Sequence, residues 1–202
     1  MNDDYRDVLR TIESTSPTPG GGAVAALILG HGIALNRMVC GLTLGREKWI
    51  DGHKIANDFL NLSESWIDAS IIKANVDCEA FEKVMLAYKF PKDTEEEKNQ
   101  RKLAINEANK LAIESPLDIA HFCLKVMNEM PDIAKTCNSN AITDLGTANN
   151  LILAATESAA LNVRINFSSS EDNYDYELKI EKITNETRNL HSIINRIVND
   201  RM

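Results

Sequence analysis

The sequence predicts an all-α protein, a helical bundle organised around one buried glycine/alanine-rich helix. Apolar residues recur in steps of three and four along most of the chain, the helical period. Proline, glycine and capping residues cut that pattern into helix-length pieces. No stretch alternates apolar and polar residues long enough to make a strand, and no internal repeat is present.

A chain of 202 residues is long enough to bury a core without a staple, and nothing in it has the composition of a linker. Residues 1–202 therefore read as a single domain. The net charge of −8 argues against a nucleic-acid partner, which calls for a basic face. Cys40, Cys78, Cys123 and Cys137 are scattered, with neither disulfide nor zinc spacing, and read as reduced thiols of a cytoplasmic protein. The four histidines show no metal spacing; His31 reads as packed, His53 and His191 as surface residues. The acidic N-terminus does not fit a signal peptide.

Residues 3–13 form a short helix with Val8, Leu9 and Ile12 on one face, closed by Ser14-Thr-Ser-Pro. Pro17-Thr18-Pro19 then sets an extended approach, and Gly20, Gly21 and Gly22 open backbone conformations denied to other residues. Seven of the nine glycines fall between Gly20 and Gly45. The run Ala23 to Leu44 is apolar on nearly every side and so reads as buried all round. It is the only run that reaches membrane-span length, but His31, Asn36 and Arg37 in its middle argue for a core helix. Gly30, Gly32 and Gly41 cost ~1 kcal/mol each against alanine, a cost that close approach of a helix or ligand offsets. The amides at the start of this helix suit an anionic or hydrogen-bond-accepting ligand. The glycines match neither the P-loop nor the dinucleotide fingerprint, so ligand binding and a structural tight turn both stand.

Gly45-Arg46-Glu-Lys48-Trp is a polar connector, followed by one long helical pattern from about Asp51 to Lys89. Phe90-Pro91 ends it, and Thr94 with Glu97 makes a capping box for the next helix. That helix runs to about Glu114. Ser115-Pro116 reads as N-cap and first-turn proline of another, through Met130, and Pro131 opens a shorter one ending near Cys137. Asn138-Ser-Asn140-Ala is a loop, and Ile142 to Phe167 a strongly apolar, alanine-rich helix. Ser168 to Asp172 is the last turn. From about Tyr174 a final helix carries Ile180, Ile183, Thr187, Leu190, Ile194 and Ile197 as a seam that needs a partner helix.

Asp77 stands beside the apolar face of Ala80, Phe81 and Val84, where desolvation would raise its pKa and suit it to general acid–base work. The plainer reading is an exposed aspartate paired with Lys73 one turn earlier. Asp144, Asn162 and Asn166 align along the alanine-rich helix, as a ligand site or as a polar network fixing helix packing. Arg46, Lys48, Lys89 and Lys92 flank helix ends, where they are either solvated or face a polyanionic tail.

Five blocks, in order, carry a resemblance: Pro17-Thr-Pro-Gly-Gly-Gly-Ala-Val-Ala-Ala, Leu42-Thr-Leu-Gly-Arg-Glu-Lys-Trp, Asp77-Cys-Glu-Ala-Phe, Tyr88-Lys-Phe-Pro-Lys-Asp-Thr-Glu-Glu-Glu-Lys and Leu161-Asn-Val-Arg-Ile-Asn. From about Tyr5 to Ile197 the chain resembles the formiminotetrahydrofolate cyclodeaminase / methenyltetrahydrofolate cyclohydrolase family in its stand-alone form. The resemblance implies an all-helical homodimer acting on one-carbon-substituted tetrahydrofolate, with no metal and no cofactor beyond that substrate. It implies that Thr18, Pro19, Gly20, Gly21 and Gly22 line the folate cleft, and that Asp77, with Asp144, does the acid–base work. Asn162 and Asn166, with Asn140 before them, fall near the pterin or one-carbon unit, and Arg46 and Lys48 near a glutamate tail. Ala23 stands where the family often has serine, and Gly-Arg-Glu-Lys-Trp replaces a more lysine-rich, tyrosine-ended version. A reading of a different class, motivated by the C-terminal seam, is a non-catalytic helical module that binds folate or another protein.

Overall fold

The computed structural model describes residues 3–167 and 173–202. Among them the helices are α1 (Asp3–Glu13), α2 (Gly21–Leu44), α3 (His53–Leu62), α4 (Trp66–Tyr88), α5 (Glu95–Thr136), α6 (Ile142–Phe167) and α7 (Asn173–Arg201), with short 3-10 turns at Glu47–Gly52 and Ser139–Ala141. No strand is present among the described residues. The turn expected at Ser168 to Asp172 lies outside them.

α2 is the centre of the bundle, packed against α4 and α6, while α5 and α7 close over α6. α2 and α6 run antiparallel: Gly21 faces Asn162, Gly32 faces Ile152, and Thr43 bonds to Asn138. Glycine makes that closeness possible. A Cβ on Gly30 would lie 2.5 Å from Ser70 Oγ, and one on Gly32 would lie 2.7 Å from the Ile152 side chain. Close packing of α4 and α6 thus offsets the helix cost of two glycines. No glycine among the described residues has a positive φ, so the expectation of unusual backbone conformations at Gly20 to Gly22 does not hold. Room, and not backbone freedom, is what these glycines supply.

α2 is not buried all round. His31, Ala34, Met38, Gly41 and Leu42 form an exposed stripe, with nothing within 4 Å of a Cβ placed on Gly41. α2 is long and apolar enough to cross a membrane, but half of its most apolar window is buried inside the bundle. The expectation that His31 is packed fails for the same reason. The ring lies on this stripe, with Nδ1 2.8 Å from the Leu27 carbonyl and an edge-on contact to Tyr5 of the exposed helix α1.

Two other boundaries differ from the sequence reading. The long pattern from Asp51 to Lys89 is broken at residues 63–65, because Arg37 of α2 reaches across. Its Nη1 donates to the Leu60 carbonyl at 2.8 Å and to Ser63 Oγ at 2.6 Å, taking up the open end of α3. Edge-to-face rings of Phe59, Trp66 and Phe122 then tie α3, α4 and α5 together, with centroids 5.8 and 5.6 Å apart. Conversely, α5 does not stop at its prolines. It runs 42 residues through Pro116 and Pro131 from the expected Thr94/Glu97 capping box. The α7 seam finds its partner within the chain, since Ile180, Ile183, Thr187 and Ile194 are buried where α7 packs on α5 and α6.

Candidate active site

Gly20 caps α2 without a side chain, so the first amides of that helix need an acceptor from elsewhere. Asp77, in the middle of α4, supplies one: its carboxylate accepts from the Ala23 N–H. Gly22 allows the approach. A Cβ there would lie 2.5 Å from both Asp77 oxygens. The carboxylate also accepts from Ser115 Oγ of α5, at Oδ1, at 3.3 Å. Three helices therefore converge on one half-buried acid.

Burial dominates its electrostatics. Desolvation pushes the Asp77 pKa above the ordinary carboxylate value of 3.8, against the hydrogen bonds from Ser115 and Ala23, which pull it down. The plainer pairing with Lys73 does not occur, because Lys73 is bonded to Asp118 of α5. A carboxyl held partly desolvated, with its pKa raised, is suited to exchange a proton with a bound ligand. Its neighbour Cys78 is pushed up by burial and by the Asp77 charge, while burial drives Cys40 and Cys123 up to about 12, which disfavours the thiolate at each.

The glycine loop closes the same corner. The Thr18–Pro19 peptide is cis, and Thr18 Oγ1 donates to Glu82 Oε1 at 3.3 Å. Asn162 stands over Gly21, its Nδ2 3.1 Å from where a Cβ would be, and donates to the Ser158 carbonyl at 2.8 Å. Asn166 has a structural task. Pro116 removes the amide that would bond the Ala112 carbonyl four residues back, and Asn166 Nδ2 donates to that carbonyl at 2.7 Å. Beside Ser115 a groove of about 240 Å³ opens between α4 and α5. Val76, Ala80 and Leu111 give it apolar walls, and Glu79, Lys83, Glu114 and Asp118 charged ones. That volume is smaller than the usual pocket for a drug-sized ligand, so it takes only part of a long one.

Thr18 to Gly22, Asp77, Asn162 and Asn166 are thus brought together. Arg46, Lys48, Asn140 and Asp144 are not. α2 spans 24 residues, about 36 Å at ~1.5 Å per residue, and Arg46 and Lys48 follow its far end. Asn140 sits at that end too, its amide donating to Asn138 Oδ1 at 3.0 Å, while Asn138 Nδ2 donates to the Leu42 carbonyl. Asp144 lies in the first turn of α6, about 27 Å of helix from Asn162. The helical wheel aligned the two in angle, but not in height.

The chain as a whole has counterparts among known proteins. The family model described as Formiminotransferase-cyclodeaminase matches residues 4–186. The chain belongs to that family. A methenyltetrahydrofolate cyclohydrolase of Methylorubrum extorquens is 36% identical over 182 residues, covering 90% of this chain and 88% of that protein. The formimidoyltransferase-cyclodeaminase of Gallus gallus is 29% identical over 164 residues, 81% of this chain but only 30% of the longer relative. A formiminotetrahydrofolate cyclodeaminase structure from Thermotoga maritima superposes with a TM-score of 0.84 at 24% identity, over 99% of this chain and 96% of that one. That likeness confirms the all-α family fold.

Ser115 is the site residue that sequence reasoning missed. Ser-Pro at positions 115–116 reads as a helix start, and that reading hid a hydroxyl pointing out of an unbroken helix. The only local signal against it is the continuous apolar periodicity on either side of Pro116.

Proposed function

We propose that this chain is a folate one-carbon enzyme in which Asp77 is the acid–base group. On this reading it hydrolyses 5,10-methenyltetrahydrofolate to 10-formyltetrahydrofolate, converts 5-formiminotetrahydrofolate to 5,10-methenyltetrahydrofolate plus ammonia, or does both. The observation that carries the reading is the half-buried Asp77 carboxylate, gripped between the Ala23 amide and Ser115, the latter lining a partly apolar groove. The relatives' names supply the substrate class.

In the hydrolytic direction a water oxygen bonds to the cationic methenyl carbon as its proton passes to the Asp77 carboxylate. The C–N5 bond then breaks as N5 takes that proton back from Asp77, the hydroxyl proton leaves to solvent as the carbonyl forms, and the formyl group stays on N10. The negative charge of Asp77 also favours the bound cation. In the deaminating direction N10 bonds to the formimino carbon, the N10 proton passes to the imino nitrogen, and the resulting C–NH₂ bond breaks. The departing nitrogen takes its proton from Asp77, whose raised pKa suits it to donate. Neither scheme needs a metal or a further cofactor.

Thr18 to Gly22 and Asn162 line the folate on this reading, and Asn166 holds α5 in place against them. Arg46, Lys48, Asn140 and Asp144 serve this cleft only from a second subunit. The exposed apolar stripe of α2, continued by the apolar face of α1, supports a homodimer. The protein-partner reading loses its motive, because α5 and α6 occupy the α7 seam.

The test follows absorbance of the methenyltetrahydrofolate band after correction for spontaneous hydrolysis, and then, with formiminotetrahydrofolate, the rise of the same band. Protein-dependent change is expected in at least one direction. Asp77→Asn is expected to keep the fold and lower turnover by ~100-fold or more, the range of general acid–base groups. Unchanged turnover in the folded variant removes Asp77 from the mechanism.

A further inference from the structure

We propose that Ser115 is a positioning residue for this reaction: its hydroxyl fixes the Asp77 carboxylate in the orientation from which it exchanges a proton with substrate. The inference rests on the proposed role of Asp77 and deepens it.

The hydroxyl is placed with care. Ser115 is buried, with its residue only 8% exposed, and its Oγ donates to Asp77 Oδ1 at 3.3 Å. A serine inside a helix ordinarily turns its hydroxyl back to the carbonyl four residues earlier, as Thr156, Thr184 and Thr43 do here. Ser115 instead reaches across to α4. Its position along α5 is fixed from the other side. Pro116 frees the Ala112 carbonyl, which receives Asn166 Nδ2 at 2.7 Å, so α6 holds the same turn of α5 that presents Ser115.

With the Ala23 amide as the second donor, the carboxylate is held from α2 and α5 together. Neither donor can ionise near neutral pH, so the pair orients the acid without adding a charge. The charged groups nearby are Glu79 and Lys83 of α4 and Glu114 and Asp118 of α5 along the groove, with Glu82 of α4 on the Thr18 side. α2 and α6 bring the uncharged Ala23 amide and Asn162. A donor to the carboxylate favours its ionised form, so removing Ser115 Oγ raises the Asp77 pKa further.

The experiment compares wild type, Ser115→Ala and Ser115→Thr in the methenyltetrahydrofolate assay across pH. Ser115→Ala is expected to lower kcat about tenfold with KM little changed, the scale of one hydrogen bond to a charged group. The acid limb of its rate profile should move to higher pH, and Ser115→Thr, which keeps the hydroxyl, should recover most of both. A wild-type kcat and acid limb in folded Ser115→Ala overturns the proposal, as does a Thr variant no better than the Ala one. The carboxyl carbon of Asp77, followed by NMR in folate-free protein, gives a readout independent of turnover. An unmoved titration in Ser115→Ala overturns the proposal even where Asp77→Asn stays active and the catalytic reading falls by itself.

Discussion

The two ends of α2 are both rich in polar side chains, but they use them differently. At the far end, Asn138 Nδ2 donates to the Leu42 carbonyl, Thr43 Oγ1 accepts from the Asn138 amide, and Arg201 donates to the carbonyls of Ala134 and Cys137. Every one of these groups closes a backbone end. At the near end the helix start is capped by a carboxylate from another helix, and that carboxylate is kept part-desolvated with its pKa raised. A neutral side chain at Gly20 would satisfy the amides at less cost. Spending an acid there leaves an ionisable group bonded to Ser115, which lines a groove, and that is the difference between a structural cap and a site.

The sharpest way to break the comparison is to crowd the near end. Gly22→Ala places a methyl group 2.5 Å from both Asp77 oxygens and must displace the carboxylate. Alanine elsewhere in a helix gains ~1 kcal/mol over glycine, so added helicity and lost geometry pull in opposite directions. Turnover of methenyltetrahydrofolate is expected to fall by ~100-fold, comparable to losing the acid–base group itself, while circular dichroism stays helical. A fully active Gly22→Ala enzyme would show that the carboxylate's seat against α2 is irrelevant to chemistry.

The opposite outcome is expected at the far end. Arg201→Ala leaves two carbonyls at the end of α5 without their donor, which costs about 2 kcal/mol. For a chain of this size that lowers Tm by roughly 4–8 °C, measured by thermal melting. The kcat should match wild type at a temperature where both proteins are folded. A kcat that falls with Tm unchanged would erase the distinction between the ends.

How much of this was legible follows from what each residue touches. Helix periods, the Thr94/Glu97 box and the α6 limits are local, and they read correctly. The α3–α4 break was not legible, because its cause is Arg37 arriving from α2. Nor was the passage of α5 through Pro116, because the side chain that takes up the freed carbonyl, Asn166, lies 54 residues away. Asp77 was visible as an acid beside an apolar face, but its grip by Ala23 and Ser115 is a property of three helices meeting. Arg46, Lys48 and Asp144 were grouped with it through the resemblance and through helical angle. Neither carries information about height along a bundle.

The smallest expected effect reads the burial of Asp77 through stability. Its folded pKa is raised above the ordinary value of 3.8, so the folded protein binds the proton more tightly than the unfolded chain. The stabilising contribution is therefore complete below the unfolded pKa and is lost as pH rises through the folded one. Asp77→Asn cannot titrate and keeps a side-chain oxygen for the Ala23 amide, so it lacks this loss. The stability of Asp77→Asn relative to wild type should thus increase as pH rises above about 4, the unfolded carboxyl pKa, through the folded one. Paired urea titrations at several pH values measure that difference with other titrating groups cancelled. A difference that stays flat would mean the carboxylate is solvated as freely in the folded protein as in the unfolded chain. A difference that shrinks as pH rises would mean the Ala23 and Ser115 hydrogen bonds outweigh burial. Asp77 would then be a structural cap of the kind found at the far end of α2.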